Sequence, residues 1–216
     1  MKKMFIKIIA NLWLLILFIS ITACPVTTES PEDLDLLNNP VIEENSLLFD
    51  LDADTGVISF NTNNSKYISE YGYSLWTENN EIQSPFTGLN VTLSKISGNS
   101  DAGYGVVFCS YDDTMLVVLI NTKKEFVIGE LTGNLFTVLQ EWTEVASLNS
   151  GLNQINTINI SLVSGEFSLT FNEGETIVFS DTDAPYHNYG KDGYLVVISP
   201  LDTFPNVPVS VTFKKN

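Results

Sequence analysis

Acidic residues beside a tryptophan are the first places in this sequence where chemistry could occur. Glu141 and Glu144 flank Trp142, and Glu173 and Glu175 lie close together at a predicted hairpin tip. Glycoside hydrolysis needs one carboxyl group as acid and a second as nucleophile or base, both facing the scissile bond. A spacing of three puts Glu141 and Glu144 on opposite faces of a strand, and acids at a hairpin tip are solvated. The carboxylates therefore predict no glycosidase, and we expect no enzyme.

Nucleophilic catalysis finds no support in the sequence either. The single histidine, His187, lies in the loop Pro185-Tyr186-His187-Asn188-Tyr189, and the sequence contains no Gly-x-Ser-x-Gly elbow. Cys109 ends the apolar run Val106-Val107-Phe108-Cys109, which predicts a buried structural thiol rather than a reactive one. We therefore predict no catalytic residue.

Aromatic side chains outside the predicted core are candidates for ligand binding. Aromatic rings pack against the C–H faces of sugars, while asparagine, aspartate and glutamine bind the hydroxyl groups. Five side chains are candidates for such a surface: Tyr186, His187, Tyr189, Trp76 and Tyr111. Tyr104 and Trp142 fall within strand patterns, which predicts that both belong to the core.

The elements that must position these residues are short strands. Runs rich in Val, Ile, Phe, Tyr and Thr recur from residue 47 onward, bounded by Asn, Gly, Asp or Ser, and no long helical pattern interrupts them. The apolar residues Ile158, Ile160 and Leu162 alternate with polar ones, as in a strand with one buried face. Thirteen strands are predicted, at residues 47–51, 57–61, 72–77, 88–96, 104–111, 115–121, 125–131, 135–140, 155–162, 166–171, 175–179, 194–199 and 207–213. This pattern predicts an all-β fold, an antiparallel sandwich or barrel.

The amino terminus is typical of an exported chain. Lysines precede the apolar run 8–21, as in a signal peptide. The tetrad Ile21-Thr22-Ala23-Cys24 resembles the lipobox of bacterial lipoproteins, in which the cysteine is acylated, as with palmitate. We expect a signal peptide at residues 1–23, a tether at 24–45 that begins with lipidated Cys24, and a β-sandwich domain at 46–216. The alternative is an ordinary secretory signal with a chance cysteine.

Charge limits the partners. The chain carries 26 acidic and 10 basic side chains, a formal net charge of −16. Nucleic acid binding needs clustered lysine and arginine, and an anionic membrane surface repels so acidic a chain. We therefore exclude nucleic acid as a partner and expect the membrane to be reached through the lipid. The predicted location is the bacterial cell envelope, at the outer membrane or cell surface.

Turn and strand motifs resemble a known class of domain over about residues 70–213. They include Gly103-Tyr104-Gly105-Val106-Val107-Phe108, Phe171-Asn172-Glu173-Gly174 and Gly190-Lys191-Asp192-Gly193-Tyr194. In this order they resemble the concanavalin A-like, laminin G-like jelly rolls of bacterial surface lipoproteins. The resemblance implies a two-sheet antiparallel jelly-roll sandwich. Gly165 and Gly174 are expected to adopt positive φ in its hairpins.

The resemblance also implies a range of functions. The first is non-catalytic binding of a glycan or an extracellular protein. The second is a structural or subunit role in the envelope with no ligand of its own, and the third is a glycan-active hydrolase. Jelly rolls of this type hold Ca²⁺ in rim loops in some cases, which makes five loop acids candidate ligands: Asp101, Asp112, Asp113, Asp181 and Asp183. Solvated turn acids are the alternative, so Ca²⁺ is the one cofactor left open.

A separate acidic stretch, Asp50-Leu51-Asp52-Ala53-Asp54-Thr55-Gly56, has only a superficial likeness to a calcium loop. An EF-hand loop needs glycine at its sixth position and glutamate at its twelfth. Here glycine comes seventh and Asn61 stands at the twelfth position. The stretch is therefore predicted to be a solvated strand edge.

Overall fold

A computed structural model describes residues 48–62, 73–77, 86–111, 113–133, 135–180, 190–198 and 208–216. For Trp76 and Tyr111 the described part is the backbone, and their side chains lie outside it. The predicted signal peptide, Cys24 and the tether also lie outside the described residues. So do six predicted site residues: Asp112, Asp181, Asp183, Tyr186, His187 and Tyr189.

The described residues form thirteen strands, close to the thirteen predicted from the sequence. Their bounds are β1 Phe49–Asp52, β2 Val57–Asn61, β3 Tyr73–Thr77, β4 Gly88–Ser97, β5 Tyr104–Tyr111, β6 Thr114–Ile120, β7 Glu125–Thr132, β8 Leu135–Glu144, β9 Asn156–Val163, β10 Glu166–Phe171, β11 Thr176–Phe179, β12 Lys191–Val197 and β13 Ser210–Lys215. Among the described residues no helix is long and apolar enough to span a membrane.

Two antiparallel sheets make up the fold. The seven-stranded sheet has the order β1-β2-β13-β4-β9-β10-β11, and the six-stranded sheet has the order β3-β12-β5-β6-β7-β8. Apolar side chains from both sheets interdigitate in one core. Its aromatic contacts include Phe108 with Phe167, 5.5 Å between ring centroids, and Tyr194 with Phe213 at 4.5 Å. The predicted all-β sandwich is confirmed.

The outer faces of the two sheets differ in chemistry. The outer face of the six-stranded sheet is apolar and buried, and its members are each 7% exposed or less: Tyr73, Leu75, Val107, Met115, Val117, Leu119, Val127, Leu131, Leu195 and Val197. The outer face of the seven-stranded sheet carries short polar side chains, among them Asn90, Thr92, Thr157, Asn159, Ser161, Ser168 and Thr170. Strand β6 reads Met-Leu-Val-Val-Leu-Ile over residues 115–120 because both of its faces are buried.

The hairpin turns confirm one predicted glycine conformation and correct the other. Ser164 and Gly165 both have positive φ, 54° and 83°, as a two-residue turn of type I′ requires. In the β10–β11 turn the positive φ of 52° belongs to Asn172. Gly174 is needed for space instead, since a Cβ there would lie 2.3 Å from the Ser147 hydroxyl oxygen.

Candidate functional site

The edge strand β8 curls over the outer face of the six-stranded sheet. Its pairing with β7 shifts register twice, once between Phe126 and Ile128 and once between Ile128 and Gly129. Such bulges increase strand twist and bending. The Phe136 ring occupies the space above Gly129, where a Cβ would lie 2.2 Å from its Cζ atom. The Phe136 side chain thus covers the outer face of the sheet along its β8 edge.

Trp142 lies across the same edge. Its Cη2 atom is 3.2 Å from the position of a Cβ on Gly103, and Leu119 Cδ1 is 3.0 Å from that position. Leu119 belongs to β6, two strands away from Trp142, and strands are spaced about 4.8 Å apart. The indole is therefore supported from below and is only partly buried. The sequence placed Trp142 in the core, whereas the structure packs it on the outer apolar face.

The β6–β7 loop sets polar groups next to this tryptophan. Asn121 is 2% exposed; its Oδ1 accepts hydrogen bonds from the backbone N–H groups of Lys123 (2.9 Å) and Glu125 (3.1 Å). Its Nδ2 donates to Glu125 Oε2 at 2.6 Å. The Asn121 side chain thus fixes both the turn and one carboxylate oxygen of Glu125.

The β4–β5 loop is tied to the β6–β7 loop. The Lys123 ammonium forms an ion pair with Asp101, and Asp101 raises the pKa of Lys123. Thr122 donates to the Ser100 carbonyl from both its N–H and its hydroxyl, each at 3.2 Å. These loops, the β8–β9 loop at residues 145–155, and the adjoining strand ends that carry Glu125, Trp142 and Glu144 are called the Asp101 rim below.

Two acids face each other beside the indole. Glu125 and Glu144 are direct cross-strand partners, and Phe126, a core residue, places its neighbour Glu125 on the outer face. Trp142 precedes Glu144 by two residues and shares that face. Trp142, Glu125 and Glu144 thus share the outer face at this end of β7 and β8. The sequence marks Glu144 and Trp142 as candidates but gives no sign of Glu125. The pairing of Glu125 with Glu144 depends on how far β8 extends.

An asparagine network braces the β8–β9 loop. Asn156 Oδ1 accepts from the Asn149 N–H at 2.8 Å and from Asn172 Nδ2 at 3.0 Å, and Asn156 Nδ2 donates to the Asn149 carbonyl at 3.1 Å. Asn172 Nδ2 also donates to the Ser147 carbonyl at 2.6 Å. The loop that follows Trp142 is therefore held to β9 and to the β10–β11 turn.

The structure separates the two described members of the predicted calcium set. Asp101 precedes β5 and Asp113 follows it, so a strand of eight residues lies between them. At about 3.3 Å per residue that strand is roughly 26 Å long. Among the residues that the structure describes, no group of three acidic, histidine or cysteine side chains could hold a metal ion.

Asp52 caps the β1–β2 turn, accepting from Asp54 N–H at 3.0 Å and from the Thr55 hydroxyl at 2.7 Å.

Two further predictions concern buried residues. Tyr104 is 1% exposed and belongs to the core between the sheets, as expected. Cys109 is also 1% exposed, and burial, with a smaller contribution from the Asp192 charge, raises its pKa to about 12. A thiol with so high a pKa is a poor nucleophile, which agrees with the structural role predicted for Cys109.

Comparison with known structures supports the fold described above. A carbohydrate-binding module, CBM66 from Bacillus subtilis, superposes with a TM-score of 0.56 at 11% identity, covering 77% of this chain and 87% of that one. A structure from work on endo-acting O-glycanases of the human gut microbiota, which initiate mucin breakdown, superposes with a TM-score of 0.51 at 10% identity, covering 74% and 78%. No family model and no curated protein matches the sequence. At these identities the likeness shows the fold, a two-sheet antiparallel jelly-roll sandwich.

Proposed function

We propose that this chain is a lipid-anchored, non-catalytic envelope protein that binds a glycan at the Asp101 rim. The observation that carries the proposal is the position of Trp142, a partly buried ring that packs near Leu119 and Gly103 on the face that also carries Glu125 and Glu144. A fixed apolar ring with a few convergent polar groups is the usual composition of a sugar-binding surface. The fold shared with a carbohydrate-binding module supports this reading.

The ligand-binding role of Trp142 is tested on glycan arrays with the full chain solubilised in detergent. We expect specific binding that Trp142→Ala abolishes, because the ring provides most of the apolar contact. Phe136→Ala is the matched control, since Phe136 lies on the same strand and face but covers Gly129 rather than Gly103. A Trp142→Ala chain that binds as the wild type would refute this site. If Tyr186→Ala alone then abolished binding, the ligand would belong to the loop at residues 185–189 instead.

Calcium dependence is measured in the same assay. Parallel arrays in Ca²⁺ and in EDTA separate a calcium-dependent site at the predicted acids from one that depends on the rim alone. We expect binding to persist in EDTA, because two of the rim acids already have protein partners: Lys123 for Asp101 and Asn121 for Glu125. Loss of binding in EDTA would favour the predicted calcium site.

The absence of catalysis is part of the proposal and has its own test. Glu125 and Glu144 lie opposite each other, and carboxyl groups about 5 Å apart are the arrangement of retaining glycosidases. We expect no release of reducing ends from any glycan that binds. Release that Glu125→Gln or Glu144→Gln abolished would make the protein a hydrolase and would contradict a purely binding role.

Anchoring through Cys24 rests on the lipobox-like tetrad at residues 21–24. More than one acyl chain is needed for stable attachment to a membrane. In a bacterial host we expect incorporation of labelled palmitate and partition into the detergent phase, both lost in Cys24→Ser. A Cys24→Ser chain that still carried label and remained membrane-bound would contradict lipidation at this cysteine.

A protein partner is the second candidate function, and the exposed side of β8 supports it. Three of its apolar side chains are exposed: Leu135 by 51%, Val138 by 42% and Leu139 by 43%. An edge strand with exposed apolar residues can pair with a strand from another chain. A photo-crosslinker at Leu139 should then capture one defined protein in cells, whereas the same group at Val178 on the other sheet's edge should not. No crosslink at either position would argue against this candidate.

A further inference from the structure

A lysine lies inside the sandwich, directly beneath the Asp101 rim. Lys95 of β4 is 0% exposed, which is rare for lysine because burying an ammonium group costs free energy unless hydrogen bonds replace its water. Its Nζ donates to the carbonyl of Asn99 at 2.6 Å and to the carbonyl of Ala102 at 3.0 Å. It also lies 5.8 Å from the centroid of the Tyr104 ring.

These contacts determine the path of the β4–β5 loop. The carbonyls of Asn99 and Ala102 both point inward to one ammonium group, so residues 99–102 curve around it. Gly98 allows the chain to pass over the lysine stem, since a Cβ on Gly98 would lie 2.9 Å from Lys95 Cε. The Asn99 side chain in turn accepts the Asp101 N–H at 2.8 Å.

The outward side of the same loop meets the candidate site. The loop carbonyls that accept hydrogen bonds from Lys95 face inward. On its outward side the same loop places Asp101 next to Lys123 and Gly103 under Trp142. The backbone carbonyl of Lys95 also accepts the Asn153 N–H at 2.8 Å. Lys95 therefore contacts two of the three loops of the rim.

We infer that the Lys95 ammonium is the structural cation of the Asp101 rim and a positioning residue for Trp142. Backbone carbonyl oxygens are ligands that Ca²⁺ also takes, at 2.3–2.6 Å. Here they accept N–H hydrogen bonds from a charged donor that can make three. A covalently attached cation thus holds the loop as a bound metal ion would, and the geometry of the rim does not depend on calcium.

The inference uses the proposed function only in calling the rim ligand-facing. Its test therefore monitors the rim itself, in the full chain and without any glycan. The double variant Trp13→Phe/Trp76→Phe leaves Trp142 as the single tryptophan, because the sequence contains three. Acrylamide quenching of Trp142 fluorescence then reports how well the rim protects the indole, and a failed glycan assay would not affect this result.

In this background we expect Lys95→Met to lower the Tm by roughly 5–10 °C, because the buried Ala102 carbonyl and the part-buried Asn99 carbonyl lose their donor. More importantly, it should increase quenching of Trp142 well below the Tm. Phe167→Leu is the matched control: it removes core packing near the other end of the sandwich, beside Phe108 and Phe179. It should lower the Tm without changing the quenching. Equal quenching in wild type and Lys95→Met would overturn the inference.

Two measurements remain decisive if Lys95→Met does not fold. Lys95→Arg keeps a cation in the loop, so we expect it to fold and to protect Trp142; a failure to do so would refute the role of charge. In the unmutated chain, EDTA should leave hydrogen exchange of the peptide covering residues 98–103 unchanged. Faster exchange in EDTA would show that a metal ion, not Lys95, holds the loop.

Discussion

Replacing Asn156 by alanine should destabilise the sandwich far more than its small volume suggests. Asn156 is 1% exposed, and its amide makes hydrogen bonds with Asn149 N–H (2.8 Å), the Asn149 carbonyl (3.1 Å) and Asn172 Nδ2 (3.0 Å). Each is worth about 1 kcal/mol net, and buried partners left without a hydrogen bond add to the cost. The free energy of unfolding should therefore fall by about 3–4 kcal/mol.

Urea denaturation of the full chain measures this loss. With an m value of about 2 kcal/mol/M, the midpoint should fall by about 1.5–2 M at unchanged m. Asn159→Ala is the matched control, because Asn159 lies on the same strand with its side chain exposed on the outer face. Its midpoint should stay within about 0.3 M of wild type. Equal midpoints for the two variants would refute the claim that the asparagine network is a principal brace of the β8–β9 loop.

Three further changes have defined outcomes. Gly105→Ala should prevent folding, since its Cβ would lie 2.0 Å from the Val118 carbonyl oxygen; a folded variant by circular dichroism would contradict this. Glu144→Gln should raise the Tm by about 1–3 °C, because it removes a like charge directly opposite Glu125, and an unchanged or lower Tm would mean that the two acids do not repel. Cys109, whose pKa burial raises to about 12, should resist iodoacetamide at pH 8 until the chain unfolds. Because the unfolded thiol ionises first, its contribution to stability is complete below about pH 9 and is lost as the pH rises towards 12; a Cys109→Ala chain should therefore show a weaker alkaline decline in urea midpoint than wild type.

The strands could be predicted because burial on one or both faces leaves a pattern in the sequence. Ile158 and Ile160 alternate with polar residues, and 115–120 is continuously apolar. The strand ends were less accurate. The predicted strand 135–140 ended four residues too early: β8 continues to Glu144, because an edge strand needs pairing on only one side. β12 likewise begins at Lys191 rather than at the predicted residue 194.

The candidate site was harder to predict because it depends on contacts that are distant in sequence. Trp142 packs on the outer face because Gly103, 39 residues earlier in the chain, leaves room for its ring. In the asparagine network, Asn172 falls in a predicted turn and Asn156 in a predicted strand, and 16 residues separate the two. In the sequence, the only sign that Lys95 is buried is its place in the strand. It falls at an inward position of a predicted strand, where an apolar residue is expected.

The doubly buried strand β6 also affects the unfolded chain. Its run 115–120 has six consecutive apolar residues with no charge and no proline, the composition of a segment that assembles into intermolecular cross-β structure. In the folded domain β5 and β7 flank β6 on both sides. Before folding is complete, the same segment is exposed and prone to aggregation. The net charge of −16 then opposes aggregation, because it keeps unfolded chains apart by mutual repulsion. Salt screens that repulsion, so the yield of refolded monomer should fall as ionic strength rises.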